Sequence, residues 1–402
     1  MENTFISYPV GQGFFYSGTI YNDSSEPFQL VYDCGSNNMS VLNECISYYK
    51  KEFHIDFDKK AKIKIDMLVV SHFDADHVNG LIKLLEKTEV EQMYIPYYNN
   101  PAILYLVNYI IESAQSANVK KIVLVRGDNE DRNIEQRELE EQELILLDDR
   151  EFPEDLKDRL YTGKDSFEIP QIKWEFYLFN VIGDENIKFT DRINKFEKMI
   201  EERMKKEKVK KVSELIQKIE RKEIKKIYEI AFTDESENEK IPITKNDWSN
   251  NSSVCLYHQP SDTSKIITEK LSFTPVEVSL LAVLLDDRCN FKIEKSIKTE
   301  KGTLLTGDIN LAGERIEEFK NWIENKKLDI NMGVIYLPHH GSWRNWNEYL
   351  QIEKYKNAIF ISSAGKDNPY NHPSPALIMA LKRKNRIHIP CNEDNYFGYS
   401  LQ

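Results

Sequence analysis

One short stretch limits this chain more than any other. The apolar residues Ile65, Met67, Leu68, Val69 and Val70 run directly into Ser-His72-Phe-Asp74-Ala-Asp76-His77-Val-Asn-Gly80. So short and mostly branched an apolar run predicts a buried strand, and residues 78 to 87 then read as a helix. His72, Asp74, Asp76 and His77 therefore fall on a strand-to-helix loop, where a rigid scaffold can hold a site. Imidazole suits zinc and iron, and carboxylate suits harder ions such as manganese. Two of each on one tight loop can serve two neighbouring ions, though not all four can bind one ion in good geometry.

Later strand ends repeat the pattern. Gly302-Thr-Leu-Leu-Thr-Gly307-Asp308 is an apolar run, a small turn and a carboxylate. This arrangement can put one aspartate between two metals; the plainer alternative is that Asp308 caps a helix near 312–323. Val334 to Leu337 leads into Pro338-His339-His340-Gly341-Ser342, and a strand at 358–363 precedes Asn368-Pro-Tyr-Asn371-His372-Pro373. Five of the eight histidines lie in these clusters, a concentration that packing roles would not produce.

In this order, His72-x-Asp74-x-Asp76-His77, Thr-Gly-Asp308 and Pro-His339-His340-Gly-Ser resemble the ligand motifs of the metallo-β-lactamase superfamily. The more familiar form has a histidine where Asp74 stands. The aspartate form, followed by Gly80, resembles the hydrolase domain of ComEC-type competence proteins, as do Val10-Gly-Gln-Gly13 and the Asp33-Cys-Gly35 that closes a strand at 28–32. The likeness covers roughly residues 1–127, 171–181 and 248–402. It implies a four-layer αβ/βα fold, with two β-sheets face to face and helices outside.

The same resemblance implies His72, Asp74, Asp76, His77, Asp308 and His340 as ligands of one or two divalent ions, zinc or manganese, with Asp308 bridging. Asp76 would also orient the attacking water. His339 or His372 would steady or protonate the leaving group, and Asp33 would brace the His72 loop. Many relatives carry a third histidine near Asn250-Asn251; here an asparagine amide could stand in or orient a water. The implied activity is hydrolysis by a metal-activated water, first of a phosphodiester in nucleic acid. The alternatives are a small nucleotide, ester or lactone, or a partner-gated effector subunit of a bacterial defence system. ComEC-type domains are associated with DNA processing beside a membrane channel, and transport does not carry over to this chain.

The core is interrupted. Residues 1–128 and 248–402 read as two parts of one α/β unit, with charged insertions at 129–247 around a core strand at 171–181. Residues 129–164 are acidic and read as solvated helix and loop. Residues 191–231 are helical, with Ile193, Phe196, Met199, Ile200 and Met204, then Val212, Leu215, Ile216 and Ile219, on one face. Such a stripe must be covered, either by the core or by a protein partner or second copy. The net charge of −12 argues against broad binding to nucleic acid through a basic face, though not against metal ions meeting phosphate. The five cysteines are scattered in no metal or disulfide spacing, no apolar run reaches the length of a membrane span, and the first residues do not read as a secretory signal. A cytoplasmic protein without a membrane partner is expected.

Overall fold

The computed structural model describes residues 3–21, 26–52, 62–86, 88–96, 107–108, 110–111, 114, 118–125, 160–162, 166–180, 187–210, 214–215, 218–219, 223, 227, 230, 253–261, 268–275, 293–312 and 315–401. Glycine- and serine-rich turns separate a first meander, β1 (Asn3–Ser7), β2 (Gly13–Ile20) and β3 (Phe28–Ser36). After helix α1 (Met39–Glu52) come β4 (Ile63–Val69), β5 (Thr88–Pro96) and β6 (Asn118–Val125), all parallel to β3. The helix expected over 78–87 is instead two short turns, α2 (Ala75–Val78) and α3 (Leu81–Leu85). It breaks because Asn79 and Gly80 bond elsewhere. The Asn79 side chain pairs with the backbone of Ser36, and the Gly80 amide donates to the Cys34 carbonyl.

Two edge strands arise where the sequence reads as acidic insertion. β7 (Leu160–Thr162) pairs with the free edge of β6, and β8 (Ser166–Ile169) pairs with β9 (Trp174–Phe179), the core strand expected near 171–181. Three- and four-residue strands among charges leave too short an alternation to notice. Helix α4 (Ile187–Glu207) follows. Then come β10 (Cys255–Pro260), β11 (Thr268–Pro275), β12 (Ile293–Lys298) and β13 (Gly302–Leu305). Helix α5 (Arg315–Asn325), β14 (Met332–Tyr336), β15 (Ile359–Ser363), helix α6 (Pro375–Arg383), β16 (Ile387–Cys391) and β17 (Asn395–Leu401) complete the described chain. Most of the acidic stretch, Asn250 and Asn251 lie outside the described residues.

The strands form two mixed sheets. One runs β12-β11-β17-β1-β2-β3-β4-β5-β6-β7, the other β16-β15-β14-β13-β10-β9-β8. Residues from both sheets, among them Leu30, Met67, Val69, Leu256, Val334 and Ile361, share one buried cluster, so the sheets lie face to face. The outer side of the first sheet packs on α1 and α3 through Ile46, Leu84 and Leu85. The outer side of the second packs on α5 and α6 through Phe319, Trp322, Leu377 and Leu381. Helix, sheet, sheet, helix is the four-layer αβ/βα order that the motif resemblance implied. No described helix is long and apolar enough to cross a membrane. Cys34, Cys45, Cys255 and Cys391 are buried free thiols.

The helical insertion braces the core. Phe196, Ile200, Leu215 and Ile219 are buried in the same cluster as α1 and α3, and Arg203 on α4 bonds Glu223 at 2.7 Å across a turn at Lys208. The apolar stripe at these residues is thus covered from within the chain. Phe196→Ala should therefore lower stability by about 3 kcal/mol, the usual cost of deleting a buried ring. Urea titration would read it, and an unchanged midpoint would mean that the helix only leans on the core.

His258 is locked between the sheets and is fully buried. Trp174 donates its indole N–H to Nδ1 at 3.3 Å, so the ring's own proton sits on Nε2, facing Tyr16 Oη at 2.9 Å. Burial holds its pKa down to about 3, against an ordinary value of 6.5. The unfolded chain therefore binds a proton in this window that the folded chain refuses. Stability from the neutral ring is full above pH 6.5 and is lost as pH falls toward 3, by an amount on the order of 4 kcal/mol. His258→Gln cannot ionise and should flatten that slope. Parallel acid profiles of the two proteins would contradict the assignment.

Candidate metal centre

The site lies where parallel strands of both sheets end. β4 delivers Ser71 and His72, α2 presents Asp76 and His77, β13 leads to Asp308, and β14 leads to His339 and His340. Close backbone approach makes this possible. Gly35 lies so near the loop that a Cβ there would meet the His77 amide nitrogen at 2.4 Å. Gly307 adopts φ +55° and abuts Ser71, joining the ends of the two sheets. His339, His340 and Gly341 all take positive φ, a costly run for two histidines.

Three histidines engage one ring nitrogen with the fold and turn the other toward a common centre. His340 Nδ1–H donates to the Ser363 carbonyl at 2.7 Å, and His77 Nδ1–H donates to Asp33 Oδ2 at 2.8 Å. For His72 the argument has two steps. Ser71 Oγ donates its single proton to Asp33 Oδ2 at 2.6 Å. Its oxygen can then only accept, so His72 Nδ1–H donates to it at 2.9 Å. In the neutral ring every Nε2 is left with a lone pair aimed inward.

Those inward atoms are orphans. His72 Nε2, His77 Nε2, His340 Nε2 and Asp308 Oδ1 are buried and have no hydrogen-bond partner. Each would cost free energy unless something fills the centre. Imidazole and carboxylate donors, each oriented by an outer hydrogen bond, fit a divalent ion such as zinc or manganese. Two overlapping groups have the required spacing, His72-His77-Asp308 and Asp76-His77-His340.

Asp308 separates the two sides. Its Oδ1 lies 3.1 Å from His77 Nε2 and 3.7 Å from His340 Nε2, while Oδ2 lies 3.9 Å from His72 Nε2 and 3.5 Å from His339 Nδ1. It caps no helix, since α5 begins only at Arg315. Asp76 Oδ2 is 3.2 Å from His340 Nε2, and Asp74 Oδ2 is 3.6 Å from His72 Nε2 at the more open rim. His372 stands outside both groups, with its ring 5.5 Å from that of His339, centroid to centroid.

Charge in the cluster is tightly linked. Burial raises the Asp308 carboxyl, but His339, His340 and His77 more than reverse this and hold it well below the usual range. Burial likewise opposes ionised Asp76, and the His340 ring 3.2 Å away, with the charges of His77 and His340, overcomes it. Burial draws His77 and His340 down, yet Asp308 with Asp33 or Asp76 lifts both above the ordinary histidine value. The carboxylates thus demand positive charge at the centre. His372 differs: burial, then its histidine neighbours, hold it down to about 4, so at neutral pH it is uncharged.

His72, Asp74, Asp76, His77, Asp308, His339, His340 and His372 lie at or beside this centre, as does Asp33, while Asn250 and Asn251 lie outside the described residues. Asp33 is the one support that sequence reading expected, and three others were missed. Ser71 orients His72, Ser253 Oγ accepts from the Asp308 amide at 3.3 Å, and the Ser363 carbonyl fixes His340. Ser71 precedes His72 directly, and that adjacency was the one available signal. A backbone carbonyl leaves none.

No family model matches the chain. A stretch of 81 residues, 20% of the chain, is 38% identical to ComE operon protein 3 of Bacillus subtilis (strain 168), and the match spans 9% of that protein's length. Zn(2+)-bound PqqB from Methylobacterium extorquens aligns over 97% of this chain and 98% of its own, with a TM-score of 0.40 and 9% identity.

Proposed function

We propose that this chain is a metal-dependent hydrolase acting on a phosphodiester, in nucleic acid or a nucleotide. The observation that carries the hydrolase reading is the convergence of three buried, unpartnered Nε2 atoms on the two oxygens of Asp308. Asp76, His77 and His340 with Asp308 Oδ1 would hold one divalent ion, and His72 with Asp308 Oδ2 and Asp74 a second. His77 Nε2 has one lone pair and serves only one of them. When bound, the ion supplies Lewis acidity toward water and toward a phosphoryl oxygen.

The chain's own groups do the rest. Asp76 stays ionised and is the acceptor for the proton of the attacking water. His339, drawn down by burial and only partly restored by Asp308, presents a neutral ring beside the centre, suited to donate a hydrogen bond to an oxygen that gains charge. His372, also neutral, can steady the leaving oxygen through its N–H. The nuclease preference rests on the motif likeness to ComEC-type domains.

The test is hydrolysis of bis(p-nitrophenyl) phosphate and of labelled single- and double-stranded DNA and RNA, after chelation and after return of zinc or manganese. Activity lost on chelation and restored by one metal is the expected result. Bound metal without phosphodiester cleavage would move the substrate to another ester or lactone. A protein that binds no divalent ion would sink the site assignment.

A further inference from the structure

The loop after β15 presents an exposed aromatic ring at the edge of the centre. Tyr370 is 59% exposed. Its ring lies nearly parallel to that of His372, 6.0 Å away at 20°, and His372 meets His339 edge-on at 5.5 Å. His339 in turn approaches Asp308 Oδ2 at 3.5 Å. A line of rings therefore leads from the candidate catalytic centre to solvent.

The loop is pinned rather than loose. Asn368 Nδ2 donates to the carbonyls of Gly365 and His372, and Asn368 Oδ1 accepts from the amides of Tyr370, at 3.2 Å, and His372, at 2.9 Å. The Ser374 amide bonds the Gly341 carbonyl at 2.9 Å, tying this loop to the one that carries His339 and His340. A single exposed tyrosine is ordinary. One whose backbone is fixed, and whose ring stacks on the last histidine of a line of rings from the reacting centre, is pre-organised to receive another flat ring.

We propose that Tyr370 is the stacking platform for an unpaired nucleobase next to the scissile phosphate, which makes it a specificity-determining residue for a single-stranded substrate. This rests on the phosphodiesterase reading above. Charge favours it: at −12 the chain cannot rely on a broad basic face to hold a polyanion, so affinity must come from the metal centre and from stacking. A base inside a duplex has its faces covered by its neighbours and cannot use such a platform, whereas every unpaired base can.

The test compares a labelled oligothymidylate with a labelled abasic phosphodiester oligomer of equal length. Binding is read by fluorescence anisotropy in chelator, and kcat/KM with metal restored. Tyr370→Ala should weaken oligothymidylate binding about tenfold or more and lower kcat/KM to match, while Tyr370→Phe stays within about twofold of wild type. The abasic oligomer should bind wild type as weakly as oligothymidylate binds Tyr370→Ala, and be indifferent to the substitution. Equal losses on both oligomers would make Tyr370 a structural cover for His372 and overturn the proposal. So would unchanged oligothymidylate binding in Tyr370→Ala, or no binding of it by wild type. Intact, Tyr370-dependent binding with no metal-dependent hydrolysis of bis(p-nitrophenyl) phosphate would instead count against the hydrolase reading.

Discussion

Asp308→Asn is expected to remove metal-dependent hydrolysis almost completely, by about a thousandfold or more in kcat/KM, while leaving the fold intact. The size follows from what one carboxylate faces. Oδ1 looks toward His77 and His340, and Oδ2 toward His72 and His339. An amide keeps one oxygen and replaces the other with a donor, so whichever way it sits, one side loses its anionic ligand. Lewis-acid stabilisation is worth several kcal/mol, and about 4 kcal/mol corresponds to a thousandfold. The fold should survive because asparagine has nearly the same volume and the Asp308 amide can still donate to Ser253 Oγ. Metal content measured beside activity separates the outcomes. Loss of bound metal and of activity together is the expected pair. Full activity in Asp308→Asn would exclude it as a ligand and return it to an ordinary turn residue.

Why this site and its brace Asp33 could be read from sequence, and the supports Ser71, Ser253 and Ser363 could not, comes down to local patterning. His72, Asp308 and His340 each follow closely on an apolar strand, so local patterning shows where they stand. Parallel strands put their C-terminal ends at one edge of a sheet, and two facing sheets bring those edges together. The separate roles of the two Asp308 oxygens need atomic positions, and no spacing rule supplies them. The helix break after Val78 was hidden for a related reason. Asn79 is a tolerable helix residue, and only its pairing with Ser36, far back in the sequence, stops the helix there. β11 and β12 were hidden more deeply: they lie in the second half of the chain yet join the first sheet through β17, and strand order is a property of the whole topology.

Asp33 shows best what a support contributes, and Asp33→Asn should cost nearly as much as losing a ligand, by a different route. Its carboxylate is fully buried and accepts three hydrogen bonds. Ser71 N meets Oδ1 at 2.7 Å, and Ser71 Oγ and His77 Nδ1 meet Oδ2 at 2.6 and 2.8 Å. Through Ser71 it fixes His72, and directly it fixes His77, so one residue sets the proton position on two inward-facing rings. Its positive φ of 55° is a conformation asparagine tolerates, so the substitution tests chemistry rather than backbone. In Asp33→Asn the new N–H group must face either the Ser71 amide or the pair at Oδ2. If it faces the pair, Ser71 turns its proton elsewhere and His77 loses its acceptor, and both rings are free to take the wrong tautomer. Losing such an outer partner typically weakens metal binding about 10- to 100-fold, and with two ligands affected the upper end is expected. A buried donor without an acceptor should also lower metal-free stability by about 1–3 kcal/mol. The behaviour under excess metal distinguishes bracing from ligation: Asp33→Asn should regain much of its kcat when the ion is saturating, and Asp308→Asn should not. Equal metal affinity in Asp33→Asn and wild type would show that the His72 and His77 rings are held by packing alone.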